Sequence, residues 1–299
     1  MGDLLFGRRA KVTLQFPVST AGNFHDVSLA DQLEINGGDD PVNPGLRIAF
    51  KIAKTTEKEP NTNELKIYNL APTTRGRTQL KGVKVLLEAG YVATGITRLF
   101  LGDARTVDHI REGSDWATTI KVADGERGYR FARANLSFSE GTSKGTVLRA
   151  VASAGGLALG NVPDVAATLD GQFGGGFVCS GRWSDSMHKL CKQLGFGFSI
   201  QNGAIQILAP DGSLEAEVPD ITPDTGLVGS PEMGTPEKKG APALVKFKCL
   251  LTVVNPGGRV HLRSERYNGT VTVKKITYTG DTRGGDWYSE IEGILKAAT

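Results

Sequence analysis

The sequence predicts a mainly β protein, α+β overall, in which two related antiparallel β-barrel domains flank a small inserted α+β domain. Three observations lead to this fold class. The 299-residue chain contains 39 glycines but only 12 phenylalanines and 3 tryptophans, a composition that favours frequent turns. Short runs that alternate apolar and polar residues, as strands do, dominate its first and last parts. The pattern Gly-x-Asp-Trp-x-x-x-Ile occurs once in each of these two parts.

Charge and cysteine content argue against several functional classes. The 35 Lys and Arg against 32 Asp and Glu give a net charge of +3, and the basic residues are scattered rather than arranged in a nucleic-acid-binding stripe. Cys179, Cys191 and Cys249 show no CxxC spacing, so we expect buried free thiols. The start MGDLLFGRRAK lacks the apolar core of a secretory signal, and glycines interrupt the small-residue stretch 150–169. We therefore expect a protein that is soluble or exported by some other route, without stable membrane insertion.

Residues 1–124 are predicted to form the first β domain. The clearest strand is 45–54, GLRIAFKIAK, whose alternation is the period-two pattern of a sheet with one buried face. Further strands are predicted at 63–70, 82–91, 98–107 and 115–123, separated by Gly, Pro and Thr. In the last of them, Trp116, Thr118, Ile120 and Val122 share one face.

Residues 125–210 are predicted to form a small α+β domain. A helix is expected over 144–154, because Thr142 or Ser143 can cap its start and a Gly-Gly pair follows it. Asn202-Gly203 separates two alternating runs, which is a strong signal for a hairpin with a two-residue turn.

A second helix in this domain is predicted over 185–194, with Ser184 as its N-cap and Gly195 at its end. Its apolar side chains recur at helical spacing, at Met187, Leu190, Cys191 and Leu194.

Residues 211–242 are rich in Pro, Gly and charge and are predicted to be a linker or loop. The second β domain is predicted over 243–299, with strands at 244–254, 259–267, 270–280 and 286–295. Asn268-Gly269 is the expected turn between the middle two. Apolar residues change parity within the third strand, which predicts a β-bulge at Lys274-Lys275.

The repeat links the two β domains. One copy contains Gly113, Asp115, Trp116 and Ile120, and the other contains Gly284, Asp286, Trp287 and Ile291. A simpler explanation is a favourable turn in which Gly supplies a positive φ, Asp caps the turn and Trp covers the end of a sheet. The matching hairpins upstream favour a duplicated barrel with equivalent core tryptophans. Three such chains could close a ring of six barrels.

Several blocks of the sequence resemble the baseplate or tail hub proteins of tailed bacteriophages. The resemblance extends from about Leu46 to Gly293 and is carried by EPNTNELKIYNLAPTTR, SDWATTIKVADGERGYRFARANLSFSEGTSKGTVL, LCKQLGFGFSIQNGAIQILAPDG, DTGLVGSPE and YTGDTRGGDWYSEIEG. It implies a trimeric, pseudo-sixfold hub with two tail-tube-like barrels per subunit, located at the distal end of the virion tail after assembly in the host cytoplasm.

The resemblance also implies partners. These are the tail tube protein or a tube-end adaptor, the tape measure protein, a central spike or tip, and other baseplate proteins, with DNA only in transit through the channel. Relatives with fused hydrolases extend further, whereas here only ILKAAT follows the repeat, so lytic activity is not expected. None of the four histidines lies in a catalytic motif, and we expect no enzyme and no cofactor.

Alternatives remain at this point. His188, Cys191 and Cys179 could hold zinc, although Cys191 as a core residue is the simpler interpretation. GTSKGT and FGGGF lack the order and flanking elements of nucleotide-binding loops. Asp115 and Asp286 could be a carboxylate pair in a β-rich cell-wall or carbohydrate-processing tail protein, but caps of equivalent turns fit better. The spike-base protein of a phage-like secretion machine is a further alternative.

Overall fold

A computed structural model of the chain describes residues 7–16, 31–39, 44–56, 62–79, 82–209, 218–234 and 243–295. Within these ranges lie five α-helices: α1 (Pro72–Thr78), α2 (Glu126–Phe131), α3 (Lys144–Ser153), α4 (Val162–Thr168) and α5 (Trp183–Leu194). The strands of the same ranges are β1 (Arg8–Phe16), β2 (Asp31–Gly38), β3 (Ile48–Thr55), β4 (Thr62–Tyr68), β5 (Lys84–Tyr91), β6 (Gly95–Glu112), β7 (Asp115–Ala123), β8 (Leu136–Phe138), β9 (Phe177–Cys179), β10 (Gly197–Gln201), β11 (Ala204–Leu208), β12 (Asp220–Ile221), β13 (Leu227–Gly234), β14 (Leu244–Leu250), β15 (Arg259–Arg263), β16 (Asn268–Asp281) and β17 (Trp287–Leu295). The protein is thus mainly β, as predicted.

The chain divides into two compact units. The first comprises Met1–Lys54, Asn61–Ala123 and Glu215–Thr299, and the second comprises Thr55–Pro60 and Asp124–Leu214. The predicted insertion, 125–210, lies inside the second unit. The segments predicted as two β domains both contribute to the first unit, and their division into two barrels stays a prediction.

One large sheet builds the first unit, which we call the β unit. Its strands follow the order β13-β14-β17-β16-β3-β4-β7-β6-β5-β1-β2, with β15 paired to β16 and β12 paired to β15. Pairing is antiparallel from β13 to β17 and among the strands that surround β7, whereas β12 runs parallel to β15. Strands from both ends of the chain therefore share a sheet, joined where β16 lies beside β3.

Alternation along the strands produces the core of the β unit. Ile48, Phe50 and Ile52 of β3 are buried, as the period-two pattern predicts. A single cluster of buried apolar side chains contains these residues together with those of β16 and β17. Phe50 contacts Trp287 edge to face, with ring centroids 5.4 Å apart, so the two segments also share their core.

The bulge in β16 is confirmed. The register against β17 shifts between Val273 and Lys275, which leaves Lys274 as the extra residue. Val273 precedes the bulge and Ile276 follows it. Because of the extra residue, both side chains face the core, although one position is odd and the other even. The predicted turn at Asn268-Gly269 is wrong, because these residues begin β16.

The turn between β15 and β16 instead lies at 264–267. The Ser264 backbone N–H donates to the Tyr267 carbonyl at 2.8 Å, and the Tyr267 N–H donates to Ser264 Oγ at 3.1 Å. Because a serine side chain can close a turn in this way, the Asn-Gly pair is not needed for it.

The predicted loop at 211–242 contains a strand that the sequence pattern did not indicate. Strand β13 pairs with β14, and its register shifts between Val228 and Glu232, around Pro231. Proline is tolerated there because β13 is an edge strand with an irregularity, where no ladder hydrogen bond is lost. Parts of the predicted loop, 210–217 and 235–242, lie outside the described residues.

Two helices of the second unit agree largely with the predictions. Helix α3 begins at Lys144, and Ser143 Oγ accepts the Thr146 N–H at 3.2 Å as its N-cap. Helix α5 ends at Gly195, which has a φ of +80°. The predicted cap at Ser184 is wrong, because α5 already begins at Trp183.

The early start of α5 follows from the packing of Trp183. Its indole Nε1 donates to the Val151 carbonyl at 2.7 Å, and its backbone N–H donates to the Ala132 carbonyl at 3.0 Å. The hairpin β10–β11 turns at Asn202 and Gly203, both with positive φ, as expected for this pair.

Tyr278 connects strand β16 to the chain that follows β14. Its buried hydroxyl donates to the Val254 carbonyl at 2.6 Å and accepts the Val254 N–H at 3.1 Å. Burial raises the pKa of this hydroxyl, so it remains neutral and can serve both roles.

Tyr278→Phe is expected to lower the free energy of unfolding by about 1–3 kcal/mol, because both backbone groups of Val254 lose their buried partner. Urea denaturation followed by circular dichroism measures the loss. The control is Tyr288→Phe, which keeps a ring beside the Lys248 ammonium, 3.9 Å from the ring centroid. An equal loss in both variants would contradict the assigned role of Tyr278.

Candidate functional site

The first copy of the repeat forms the turn between β6 and β7. Gly113 has a φ of +63°, a left-handed conformation that favours glycine. The Asn69 side chain closes this turn, since its Nδ2 donates to Asp115 Oδ1 and its Oδ1 accepts the Trp116 N–H, each at 3.0 Å. Ile120, further along β7, is buried.

Trp116 does not occupy the core position predicted for it. The residue is 39% exposed, and the guanidinium carbon of Arg75 lies 4.3 Å from the ring centroid. Trp116 stands near the start of β7, where helix α1 places a guanidinium rather than an apolar side chain against the ring. The expected equivalence of the two tryptophans is therefore wrong.

The second copy forms the turn between β16 and β17 and is much more buried. Trp287 is 1% exposed, packs on Phe50 and lies below the guanidinium of Arg8, 5.8 Å from its ring centroid. Ile291 is fully buried. The Asp286 carbonyl accepts the Asp281 N–H at 2.9 Å.

A close approach favours glycine at position 284. A Cβ added to Gly284 would lie 2.7 Å from the Asp281 carboxylate. The Gly284 carbonyl also accepts a hydrogen bond from Arg8 Nη1, and the Gly285 carbonyl accepts one from Arg8 Nη2 at 3.2 Å. The second turn is thus held by an arginine from the start of the chain.

Asp281 and Thr282 connect the end of β16 to the start of β3, and we call this contact the β3–β16 joint. Arg47 binds the Asp281 carboxylate through two nitrogens, with Nε to Oδ1 at 3.1 Å and Nη2 to Oδ2 at 2.7 Å. The Thr282 N–H donates to the Ile48 carbonyl at 3.0 Å, and Thr282 Oγ1 accepts the Ile48 N–H at 3.0 Å.

Electrostatics at the joint favour the charged form of Asp281. Partial burial alone would raise the pKa of its carboxyl group. The hydrogen bonds from Arg47 and from the Arg283 backbone N–H outweigh that effect and lower the pKa below its ordinary value. The joint therefore contains an ion pair that becomes weaker in acid.

A cavity of about 500 Å³ opens beside the joint. Arg8, Tyr91, Arg283, Trp287 and Tyr288 are among its lining residues. Burial raises the pKa of the Tyr91 hydroxyl to about 12, so this group is neutral and is not a base near neutral pH. The guanidinium groups of Arg8 and Arg283 already donate to backbone carbonyls.

Of the residues considered for zinc, the two cysteines belong to the core of the second unit, whereas His188 is exposed. Cys179 and Cys191 are buried, and burial raises the pKa of both thiols, that of Cys191 to about 12. The His188 ring packs against Phe198 with centroids 6.3 Å apart. In the described parts of the chain, His, Cys, Asp and Glu form no group of three or more that could hold a metal ion.

In the part of the chain that the structure describes, the main strand order of the large sheet ends at β13 and β2, and the branch through β15 ends at β12. Three exposed apolar side chains lie along β13 and the neighbouring end of β14, and we call this edge the β13 patch: Val228 and Leu244 on one face of the sheet and Met233 on the other. Edge strands with apolar side chains can pair with another chain through their backbone groups. The arrangement is suited to association.

Sequence reasoning did not identify the joint or the β13 patch. Arg47 and Asp281 are separated by 234 positions, and no local pattern relates them. The Gly and Pro residues of LVGSPEMG resemble a loop, since the strand depends on pairing with β14.

Among the described residues, no helix combines the length and apolar character of a membrane span.

Comparisons with known proteins identify solved structures with a similar fold. No protein-family model and no curated protein matches the sequence. Among solved structures, the 43 kDa tail protein of prophage MuSo2 from Shewanella oneidensis is similar over 96% of this chain and 98% of its own, with a TM-score of 0.60 and 10% identity. A tail protein from Neisseria meningitidis MC58 is similar over 96% and 97% of the two chains, with a TM-score of 0.60 and 9% identity.

A third similar structure belongs to a secretion machine. It is a component of the type VI secretion system of E. coli, described as structurally similar to the T4 bacteriophage tail proteins gp27 and gp5. It matches 84% of this chain and 74% of its own, with a TM-score of 0.53 and 9% identity. The chain thus has the fold of phage tail proteins, and the resemblance seen in the sequence is confirmed at the level of fold.

Trp287→Ala is expected to lower the free energy of unfolding by about 3–5 kcal/mol, because it leaves a cavity in the core. Trp116→Ala is expected to cost about 1 kcal/mol or less, because it removes a partly exposed cation–π contact. Urea denaturation of both variants measures the difference. Similar losses would contradict the different placement of the two rings.

Asp281→Asn is expected to lower the melting temperature at neutral pH and to flatten its dependence on acid. A carboxyl group with a lowered pKa stabilises the folded state above its unfolded pKa, and this stability is lost as pH falls through the folded pKa. Thermal melts between about pH 7 and pH 3 measure the effect. The control Glu140→Gln changes an exposed carboxylate of the second unit, and a pH profile identical to wild type in Asp281→Asn would refute the role of the joint.

Proposed function

We propose that the chain is a structural hub of a bacteriophage tail baseplate, and that it acts by assembly rather than catalysis. The observation that supports this proposal most is the fold, which agrees with two phage tail proteins over nearly the whole length of both chains. Its location would be the distal end of the tail, reached after assembly in the host cytoplasm.

Three copies of the chain form the proposed ring. Each copy contributes two β segments with matching Gly-x-Asp-Trp hairpins, at β6–β7 and at β16–β17. Three chains with two segments each provide six similar elements, which allows a threefold assembly to meet a sixfold tube. The opening in the ring would let DNA pass.

The proposed partners are those that the resemblance of the sequence to tail hub proteins implies. The tail tube protein or a tube-end adaptor would bind one side of the ring, and a central spike or tip would bind the other. The tape measure protein would enter the channel, and other baseplate proteins would surround the ring. Such permanent interfaces typically bury more than about 2,000 Å².

The β13 patch is the proposed contact between copies. Its backbone edge and its apolar side chains, Met233 and Leu244, offer the two interactions that join strands of different chains. Glu232 and Pro231 lie on the same strand and would discourage pairing with the wrong partners.

A second candidate function is the base of a spike in a phage-like secretion machine. It is favoured by the similarity to the type VI secretion component. Both functions use a ring of the same kind and differ in what surrounds it. The carbohydrate-processing alternative is less well supported, because Asp115 accepts a hydrogen bond from Asn69 within a turn.

The mass of the purified chain in solution tests the proposed ring. Light scattering across a concentration series is expected to show a species of three 31.8 kDa chains. The proposed ring would be contradicted by a stable dimer, and imaging of the trimer would test for a central opening.

Met233→Asp is expected to weaken trimer formation by about tenfold or more, because it places a charge in an apolar contact. The control is Val92→Asp, which changes an equally exposed apolar residue in the turn between β5 and β6. Equal mass distributions for both variants would show that the β13 patch is not the contact, and unchanged melting temperatures would exclude unfolding as the cause.

A further inference from the structure

The second unit contains a short two-stranded ribbon. Strand β8 pairs antiparallel with β9, with Leu136 opposite Cys179 and Ser137 opposite Val178. The same register continues to a bridge between Arg133 and Arg182. The ribbon therefore extends over 133–138 and 177–182.

The two faces of this ribbon differ sharply. One face carries Ala134, Cys179, Phe138 and Phe177, which belong to the core of the second unit or pack against it. The opposite face carries the exposed residues Arg133, Arg182, Asn135, Ser180, Ser137 and Val178. We call this opposite face the arginine face.

The two arginines of this face stand directly opposite each other. The Ala134 N–H donates to the Gly181 carbonyl and the Trp183 N–H donates to the Ala132 carbonyl, each at 3.0 Å, so Arg133 and Arg182 form a non-hydrogen-bonded pair. Side chains are closest in such pairs, with Cα atoms about 4.5 Å apart. Like charges in directly opposite positions destabilise a strand pair.

No carboxylate of the described residues forms an ion pair with either guanidinium. The free protein thus holds two neighbouring positive charges on a rigid support. An anion bound between them would relieve their repulsion and accept hydrogen bonds from both.

Polar and apolar groups complete the arginine face. Asn135 Oδ1 accepts the Gly181 N–H at 3.3 Å, which leaves its Nδ2 to donate outward. Phe131, which ends α2 just before the ribbon, is 74% exposed, and Val178 at the other end of the face is 63% exposed. From Phe131 along the ribbon, the exposed residues follow the order apolar, cationic, polar and apolar.

We propose that the arginine face binds an extended acidic segment of a partner protein. One or two carboxylates of that segment contact Arg133 and Arg182, and its apolar side chains pack on Phe131 and Val178. A nucleic acid fits less well, because its backbone needs a longer series of cations and the ends of this face are apolar. The inference does not depend on the proposed ring.

The test uses the full chain and a labelled peptide, Leu-Ser-Glu-Ser-Glu-Ser-Leu. In an extended conformation its two glutamates and its two leucines share one face, in the order that the arginine face requires. Fluorescence anisotropy measures its dissociation constant. Arg133→Gln and Arg182→Gln are each expected to weaken binding by about tenfold or more, whereas the control Arg149→Gln, at an exposed arginine of α3, leaves it unchanged.

Thermal melts separate loss of binding from loss of folding. Because each glutamine variant removes the repulsion, its melting temperature at low salt should equal or exceed that of wild type. The proposal is overturned if the peptide does not bind, if it binds all variants equally, or if the same peptide with glutamines binds as tightly. Tighter binding of a single-stranded oligonucleotide, lost in the same two variants, would favour a nucleic acid instead.

Discussion

The β unit depends on the joint between β3 and β16. Hydrogen bonds and an ion pair connect Ile48 and Arg47 to Thr282 and Asp281, positions 234 apart in the chain. Closing so long a loop costs conformational entropy, although the cost grows only slowly with length. Once the two segments are joined, Phe50 and Trp287 can share one core, and the strands at the two ends of the chain become one sheet.

In the repeat, the local sequence pattern determines the turn, whereas the surrounding residues determine how the tryptophan is packed. Both copies turn the chain between two antiparallel strands, and both bury their isoleucine. The tryptophans differ because what covers them comes from elsewhere: Arg75 of α1 for Trp116, and Phe50 and Arg8 for Trp287. A shared turn motif is therefore evidence for a related hairpin and does not determine the burial of its aromatic residue.

Features that depend on neighbouring residues could be predicted from the sequence. Alternation in β3, the bulge after Val273 and the turn at Asn202 follow from side-chain period and from the backbone freedom of particular residues. Features that depend on distant partners could not be predicted. Strand β13 exists because β14 pairs with it, and the facing of Arg133 and Arg182 requires a register between distant segments.

A surface that binds a partner is exposed to water in the free chain and must not associate non-specifically there. On the proposed function, β13 meets this requirement with Pro231, Glu232 and an irregular register, which hinder indiscriminate pairing of its edge. The arginine face meets it with charge, since Arg133 and Arg182 lie opposite each other and are both exposed to solvent. Both devices sacrifice some stability of the free chain, and a specific complementary partner restores it. The same features that make these surfaces tolerable in isolation would thus make assembly selective.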